Sequence, residues 1–263
     1  VKRGAARFFA VFANCNPGSY MILYRSAKGG QDMVIHGLQK LTLLDYPGHT
    51  ACTVFTAHCP WRCPFCHNAS LVLEPESQPV IPEEEIFSFL AHRKGLLDGV
   101  AVTGGEPTLQ RDLPEFLRKI KALGFAVKLD TNGTNPAMLR AILSEKLADY
   151  VAMDIKAGRE NYSAVTGTLR PGLAAVEECA RMLMDGDTDF EFRTTVVRGL
   201  HSAEDFADIA AWLPGNEKYF LQAFKDSGDV ISGGCAAFTR EEMESFRARR
   251  LPAIPKAEIR GMD

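Results

Sequence analysis

A buried strand, a glycine loop and an amphipathic helix follow one another in residues 99–122, GVAVTGGEPTLQRDLPEFLRKIKA. The opening run is apolar or small throughout, as in a parallel strand that is covered on both faces. Asp112 and Glu115 match a capping box, which predicts that a helix begins there. Apolar residues then recur at helical spacing at Leu113, Phe116, Leu117 and Ile120. This stretch therefore predicts one βα unit of a parallel sheet.

The same alternation of strand and helix patterns runs along most of the chain. Buried-strand patterns occur at residues 50–57, 99–103, 125–131, 150–156, 190–197 and 219–224. Such alternation forms right-handed βαβ units, and a closed eight-stranded barrel needs about 250 residues. Because only six units are found, we expect an α/β fold, an incompletely closed parallel (β/α)6 barrel. Its active site should lie at the carboxyl ends of the strands.

Several helix starts are also marked in the sequence. Asn135 precedes Pro136, which predicts an N-cap followed by a proline at the first helical position. Capping-box spacing recurs at Ser202 with Asp205 and at Thr239 with Glu242. The acidic triplet 83–85 follows Pro82, and we interpret it as the solvated first turn of another helix.

Composition excludes several classes of protein. The chain has 263 residues, 46% of them hydrophobic and 24% charged, with a net charge of −3. We therefore expect no binding of nucleic acid through a basic field, and no membrane partner. The seven cysteines are odd in number and crowded, unlike a secreted disulfide framework, so we expect a cytoplasmic protein. Residues 1–32 are interpreted as an N-terminal extension of doubtful functional relevance, and residues 33–263 as the functional domain.

Three cysteines follow the first predicted parallel strand on one short loop. Cys59, Cys63 and Cys66 have the spacing Cys-x3-Cys-x2-Cys. A cluster of four irons takes four ligands, so three thiolates leave one iron open for another molecule. Structural zinc is the alternative, although it prefers four ligands and the adjacent residue, His67, is badly spaced to be the fourth.

Polar residues also end the next three strands. Two glycines at 104 and 105 let the backbone approach a ligand, and Glu106 can accept hydrogen bonds from an amine. Asp130 ends the third of the six strands, while Asp154 and Lys156 end the fourth. Charges at such positions either pair with one another or hold a polar ligand.

Together these segments resemble a known family. The cysteine loop, with Phe65 before its last cysteine, and Gly104-Gly105-Glu106-Pro107 resemble the signatures of the radical S-adenosylmethionine (SAM) enzymes. Further stretches resemble the glycyl-radical-enzyme activating enzymes: Asp45-Tyr46-Pro47-Gly48, Cys66-His67-Asn68, Asp130-Thr131-Asn132-Gly133 and Asp154-Ile155-Lys156. Residues 35–47 most resemble the activating protein of anaerobic ribonucleoside-triphosphate reductase.

The resemblance implies the cofactors and the residues that bind them. Cys59, Cys63 and Cys66 would bind one [4Fe–4S] cluster, whose open iron would chelate S-adenosylmethionine. Cofactor contacts are implied for Phe65, Gly104, Gly105, Glu106, Asp130, Thr131, Asp154 and Lys156. Reductive cleavage of S-adenosylmethionine would give a 5′-deoxyadenosyl radical, which takes a hydrogen atom from a glycine of the partner enzyme. No catalytic residue is implied beyond this site.

The resemblance also implies two protein partners, a glycyl radical enzyme and a reduced electron donor of the flavodoxin or ferredoxin type. The alternatives are a radical SAM enzyme that acts on a small molecule or on a different glycyl radical enzyme. A third is a non-catalytic metal-binding or electron-transfer protein. His58 departs from the family, which often has glycine there, and a positive φ at that residue would cost about 1 kcal/mol or more. Cys179 is interpreted as a core residue. Gln222 stands on the last strand where related activating enzymes can present His, which makes it a candidate for a ligand contact, and Cys235 receives no role.

Overall fold

A computed structural model describes residues 33–215, 218–250 and 253–262. The predicted extension, residues 1–32, lies outside these ranges, and so does Cys15. Within the described residues one sheet contains eight strands in chain order. They are β1 (Ile35–Thr42), β2 (Ala51–Thr56), β3 (Gly99–Gly104), β4 (Ala126–Thr131), β5 (Tyr150–Asp154), β6 (Asp189–Val196), β7 (Tyr219–Ala223) and β8 (Glu258–Arg260).

All neighbouring strands from β2 to β8 are parallel, and β1 runs antiparallel to β2. In the described part of the chain no pairing joins β1 to β8, so the sheet is not closed. The incompletely closed barrel is thereby confirmed, with the six predicted strands at β2–β7. β1 and β8 were not predicted. β1 is a partly exposed edge strand with a mixed pattern, and β8 has only three residues.

Helices follow the strands along the chain. They are α1 (Ala69–Leu73), α2 (Glu83–Ala91), α3 (Leu113–Ala122), α4 (Pro136–Ser144), α5 (Tyr162–Thr166), α6 (Leu173–Met184), α7 (Ala203–Trp212) and α8 (Arg240–Arg250). Short 3-10 turns lie at Pro75–Ser77, Pro107–Leu109 and Arg159–Asn161. Among the described residues, no helix combines the length and the apolar character that a membrane crossing requires.

The predicted helix starts had different outcomes. Asn135 caps α4 by accepting a hydrogen bond from the amide of Met138 at 3.2 Å. Ser202 and Asp205 form the complete capping box of α7. α3 begins at Leu113 as predicted, but the capping box of Asp112 was wrong. The Asp112 backbone, at φ −90° and ψ 3°, lacks the extended N-cap conformation, and its side chain caps nothing.

The acidic turn of α2 is solvated at only two of its three positions. Glu84 and Glu85 are exposed. Glu83 is buried, accepts a hydrogen bond from the amide of Met33 at 2.8 Å and pairs with Lys119 at 3.0 Å. The solvated interpretation was therefore wrong for Glu83, which stabilises the packing of α2 against neighbouring segments instead.

Apolar side chains of β2–β7 fill the space between the sheet and its helices. Val54, Val102, Leu129 and Met153 are fully buried. Cys179 is also buried and belongs to this core, as predicted. The core fixes the strands, so their carboxyl ends and the loops that follow them lie along one rim.

Candidate active site

The cysteine loop (residues 58–68) starts immediately after β2 and is held from several sides. His58 has φ 66°, the left-handed conformation that favours glycine. Further along, the amide of Arg62 donates to the carbonyl of Thr166 at 2.9 Å. Its guanidinium Nη1 donates to the carbonyl of Cys59 at 2.7 Å. The loop is thus a defined turn between the first and second cysteines.

All three thiols of the cysteine loop line the same cavity. Burial raises the pKa of Cys59 to about 12 and that of Cys63 to about 11. The positive charge of Lys156 lowers the pKa of Cys63, but burial outweighs it. The Asn132 amide Nδ2 donates to the Cys59 sulfur at 3.6 Å. Binding as thiolates therefore requires added positive charge, which a metal supplies.

In the part of the chain that the structure describes, no three or more His, Cys, Asp or Glu side chains are grouped to hold one metal ion. This finding is compatible with an iron–sulfur cluster, because thiolates that bind different irons of one cluster are further apart than ligands that share a single ion. His67, the weak candidate for a fourth zinc ligand, contacts the Lys225 carbonyl at 2.7 Å and stacks on Phe224.

The glycine loop (residues 104–107) packs directly on the cysteine loop. Gly104 has φ 120°, and a Cβ atom at Gly105 would overlap the carbonyl oxygen of His58. The amide of Glu106 donates to that same oxygen at 2.6 Å. Asn68 donates through Nδ2 to the carbonyl of Gly104 at 2.7 Å. Both glycines are therefore required by the close approach of two backbones.

The carboxylate of Glu106 is buried and already well occupied. It accepts hydrogen bonds from the amide and hydroxyl of Thr108, at 3.1 and 2.5 Å. The hydroxyl of Thr131 and the amide of Asn132 donate to it at 2.8 and 2.7 Å. Burial raises its pKa, and these four hydrogen bonds oppose that rise. Glu106 thus joins the loop after β3 to the loop after β4.

A chain of alternating charges crosses the barrel from β4 to the end of β5. Asp130 pairs with Lys128 on one side and with Arg193 of β6, at 3.2 Å, on the other. The Arg193 Nε donates to Asp154 at 2.8 Å, and Asp154 pairs with Lys156 at 2.8 Å. The predicted carboxylates thus pair within the protein, but through Arg193, which the sequence analysis missed.

This charge chain is electrostatically self-consistent. Burial opposes ionisation of Asp154, but the charges of Arg193 and Lys156 outweigh it and hold its pKa below the usual range. Burial likewise disfavours a charged Lys156, yet Asp154 and Cys63 raise the lysine pKa. Three cations and two carboxylates leave one excess positive charge beside the thiols.

Every residue that the sequence assigned to the cofactor site lines a single open cavity of about 230 Å³. Phe65 is one of them, almost fully buried, with its ring 6.1 Å from that of His201. Several further lining residues had no role predicted from the sequence: Asn68, Thr103, Asn132, Arg193 and Thr195. Gln222, the candidate ligand contact of the last strand, also lines the cavity. Arg193 could have been found from its position, because residues of alternate register on 190–197 share a strand face.

A bridging segment (residues 225–237) runs from the end of β7 across the rim to the cysteine loop. The amide of Ser232 donates to the carbonyl of Pro64 at 2.9 Å. At its far end the amide of Arg198, which follows β6, donates to the carbonyl of Ala236 at 2.8 Å. The bridging segment therefore connects the cysteine loop with the last strands of the sheet.

The sequence profile of the Radical SAM superfamily matches residues 53–213, more than half of the chain. The chain belongs to the radical SAM superfamily. A relative from Methanocaldococcus jannaschii bears the provisional name glycyl-radical enzyme activating enzyme. It is 33% identical over 206 residues, which cover 74% of this chain and 82% of the relative. The pyruvate formate-lyase-activating enzyme of Staphylococcus epidermidis is 28% identical, over 66% of this chain and 72% of its own.

A solved structure shares the fold. Streptococcus suis SuiB bound to S-adenosylmethionine superposes with a TM-score of 0.59 at 15% identity. The match covers 78% of this chain and 48% of SuiB. Membership in the superfamily makes this chain a radical SAM enzyme, with a [4Fe–4S] cluster and S-adenosylmethionine as its cofactors.

The donor set fits these radical SAM cofactors. Thiols are the ligands that iron–sulfur clusters take, and three of them line the cavity. In the described residues Lys156 makes one side-chain hydrogen bond, to Asp154, and an ammonium has three donors. The remaining donors suit a ligand carboxylate, and the carbonyls of the glycine loop suit a ligand amine.

Proposed function

We propose that this radical SAM enzyme is an activating enzyme that installs a glycyl radical on a partner, an anaerobic ribonucleoside-triphosphate reductase. The observation that carries the activating role is the relative from Methanocaldococcus jannaschii, which this chain matches over most of both lengths. The relative that activates pyruvate formate-lyase supports the same class of protein substrate.

In this proposal Cys59, Cys63 and Cys66 hold the cluster. The carbonyls of Gly104 and Gly105 accept hydrogen bonds from the amine of S-adenosylmethionine, with Glu106 beneath them, and Lys156 donates to its carboxylate. Phe65 lies against the adenine. When bound and reduced by one electron, the cofactors supply a 5′-deoxyadenosyl radical that takes a hydrogen atom from the partner's glycine and leaves a glycyl radical.

The remaining contribution of the protein is positioning. Each carboxylate of Asp130 and Asp154 can accept about four hydrogen bonds, so pairing with Arg193 leaves acceptor sites for a ribose. Thr131 and Asn132 hold the carboxylate of Glu106, and Glu106 in turn holds the loop after β4. The charge chain thereby holds the two carboxylates in place as hydrogen-bond acceptors, while each of its ionised groups keeps a partner of opposite charge.

The choice of the reductase as partner rests on residues 35–47. In the structure this segment forms β1 and the turn that follows, where the hydroxyl of Thr53 donates to Asp45 at 2.5 Å. Tyr46 is buried beneath the same turn. The electron donor is proposed to be a reduced flavodoxin or ferredoxin, because the cluster needs a one-electron reductant.

Anaerobic reconstitution with iron and sulfide, followed by dithionite and S-adenosylmethionine, tests the proposal. We expect 5′-deoxyadenosine by chromatography and, with an added reductase, a glycyl radical by electron paramagnetic resonance. A signal with pyruvate formate-lyase alone would overturn the choice of partner. 5′-Deoxyadenosine without a radical on either protein would instead favour a small-molecule substrate.

A pair of cysteine variants controls the test. Cys63→Ala removes a proposed ligand and should abolish both bound iron and 5′-deoxyadenosine. Cys179→Ala removes another buried thiol, on α6, and should keep both bound iron and 5′-deoxyadenosine. Equal iron content in the two variants would contradict the ligand assignment.

A further inference from the structure

Most polar side chains of the cavity are already committed to partners within the protein. Asp130 and Asp154 are both paired with Arg193, and Glu106 accepts four hydrogen bonds. In the described part of the chain, Thr195 and Gln222 line the cavity with no side-chain hydrogen bond or ion pair to another residue. Thr103 shares this property, but it lies on β3, which pairs with β2 and β4 rather than with β6 or β7.

Thr195 and Gln222 are neighbours in the sheet. They are register partners on the parallel strands β6 and β7, and both line the cavity. Adjacent strands lie about 4.8 Å apart, so one extended ligand can contact both side chains. Thr195 follows Arg193 by two residues on the same face, which puts it about 7 Å nearer to the rim than Arg193. The pair therefore adds uncharged hydrogen-bonding groups on the rim side of Arg193.

The chemistry of this pair matches a peptide group. A carboxamide offers both an N–H donor and a carbonyl acceptor, and a hydroxyl can do either. Glycine has no side chain, so a protein that selects it must contact the N–H and C=O groups of the main chain. Those groups need hydrogen-bond partners once they leave water.

We propose that Thr195 and Gln222 hold the main chain of the substrate polypeptide beside the glycine that is to be oxidised. This inference rests on the proposed function, and it assigns a substrate contact to two residues rather than a cofactor contact. Access is at the rim, where the bridging segment follows directly after β7. The substrate is thus a polypeptide loop that enters in extended form.

Near-isosteric variants test the pair. Thr195→Val and Gln222→Met remove hydrogen bonding with little change in size, and Thr188→Val makes the same change just before β6, at the end of that strand away from the rim. Anisotropy of a labelled peptide that contains the partner's glycine loop reports binding without turnover. We expect the Kd to rise about tenfold for either cavity variant. The Kd for Thr188→Val should equal that of the wild type.

Turnover separates the substrate role from a cofactor role. We expect the loss in glycyl radical yield to exceed any loss in partner-independent cleavage of S-adenosylmethionine by about tenfold. Equal losses in the two assays would overturn the proposal, because the side chains would then serve the cofactor. Unchanged peptide affinity would overturn it as well. A wild-type enzyme that forms no glycyl radical would contradict the proposed function itself, which the variants do not address.

Discussion

The carbonyl oxygen of His58 occupies the space that a side chain at Gly105 would need. The same oxygen accepts a hydrogen bond from the amide of Glu106 at 2.6 Å. The cysteine loop and the glycine loop, which follow different strands, are therefore one structural unit. Any change that separates the two backbones displaces the thiols and the carbonyls of the glycine loop together.

Substitution Gly105→Ala should break this unit. A Cβ atom there forces the backbones apart, and we expect the free energy of unfolding to fall by roughly 1–3 kcal/mol. Reconstituted iron should fall with it. Gly233→Ala is the matched control, because nothing lies near its Cβ position and neither glycine has a positive φ. Urea unfolding and iron analysis of both variants measure the effect, and equal stability of the two would refute the steric argument.

Relief of backbone strain should be measurable at His58. Its φ of 66° costs a residue with a Cβ atom roughly 1–2 kcal/mol, while glycine loses more entropy on folding. We therefore expect His58→Gly to raise the free energy of unfolding by about 0.5–1 kcal/mol. Lys146→Gly, at φ 52° after α4, should give a similar gain. If the free energy of unfolding rises for Lys146→Gly but falls for His58→Gly, the contacts of the His58 imidazole stabilise the fold by more than the backbone strain costs.

Arg193 should be the most sensitive member of the charge chain. Arg193→Gln leaves two largely buried carboxylates without their shared partner, so we expect a loss of about 3–5 kcal/mol in unfolding free energy. Arg140 forms an exposed pair with Glu178, and Arg140→Gln should cost less than about 1 kcal/mol. Chemical denaturation at pH 7 compares the two, and similar losses would contradict the role of Arg193.

At low pH, the difference in unfolding free energy between the wild type and Arg193→Gln should become smaller. The pKa of Asp154 is lowered in the folded protein, so its contribution is present above the unfolded value, about 3.9. This contribution is lost as the pH falls through the folded pKa. The difference in unfolding free energy between the two proteins should therefore be smaller at pH 3 than at pH 5, and chemical denaturation at the two pH values measures it. A difference that stays constant would show that the loss is steric.

His201 predicts a second dependence on pH, near neutrality. Its Nδ1 accepts from the amide of Val197 at 3.1 Å, and its Nε2 donates to the carbonyl of Lys156 at 2.7 Å. Burial lowers its pKa, so the folded state favours the neutral ring. Stability should fall as the pH drops below about 6.5, where the unfolded ring takes up a proton. His201→Gln should flatten the stability profile between pH 7.5 and 5.5, and an unchanged slope would assign that dependence elsewhere.

Periodicity was sufficient to predict the six inner strands, because residues covered on both faces leave an unbroken apolar pattern. The edge strand β1 escaped prediction since it is covered on one side only, and its exposed residues, such as Lys40, interrupt the pattern. Loop geometry could be predicted where a residue type restricts the backbone dihedral angles. A positive φ at His58 was predicted to carry a cost, and the structure has that conformation.

Ion pairs between side chains on different strands could not be predicted from the sequence. Asp154 and Lys156 could be paired because they are two residues apart on one strand. Arg193 could not be joined to Asp130, because their contact depends on the register of three strands, which no local pattern encodes. The occupied carboxylate of Glu106 was missed for the same reason.

The bridging segment and Gln222 both lie after residue 213, where the match to the superfamily ends. The shared part of the chain builds the cofactor-binding wall, whereas the later residues complete the rim and connect it to Pro64. The proposed substrate contact is thus assembled from both stretches, with Thr195 in the matched part and Gln222 beyond it. A change confined to the later stretch would therefore alter that contact while every proposed cluster ligand and cofactor contact stays in place.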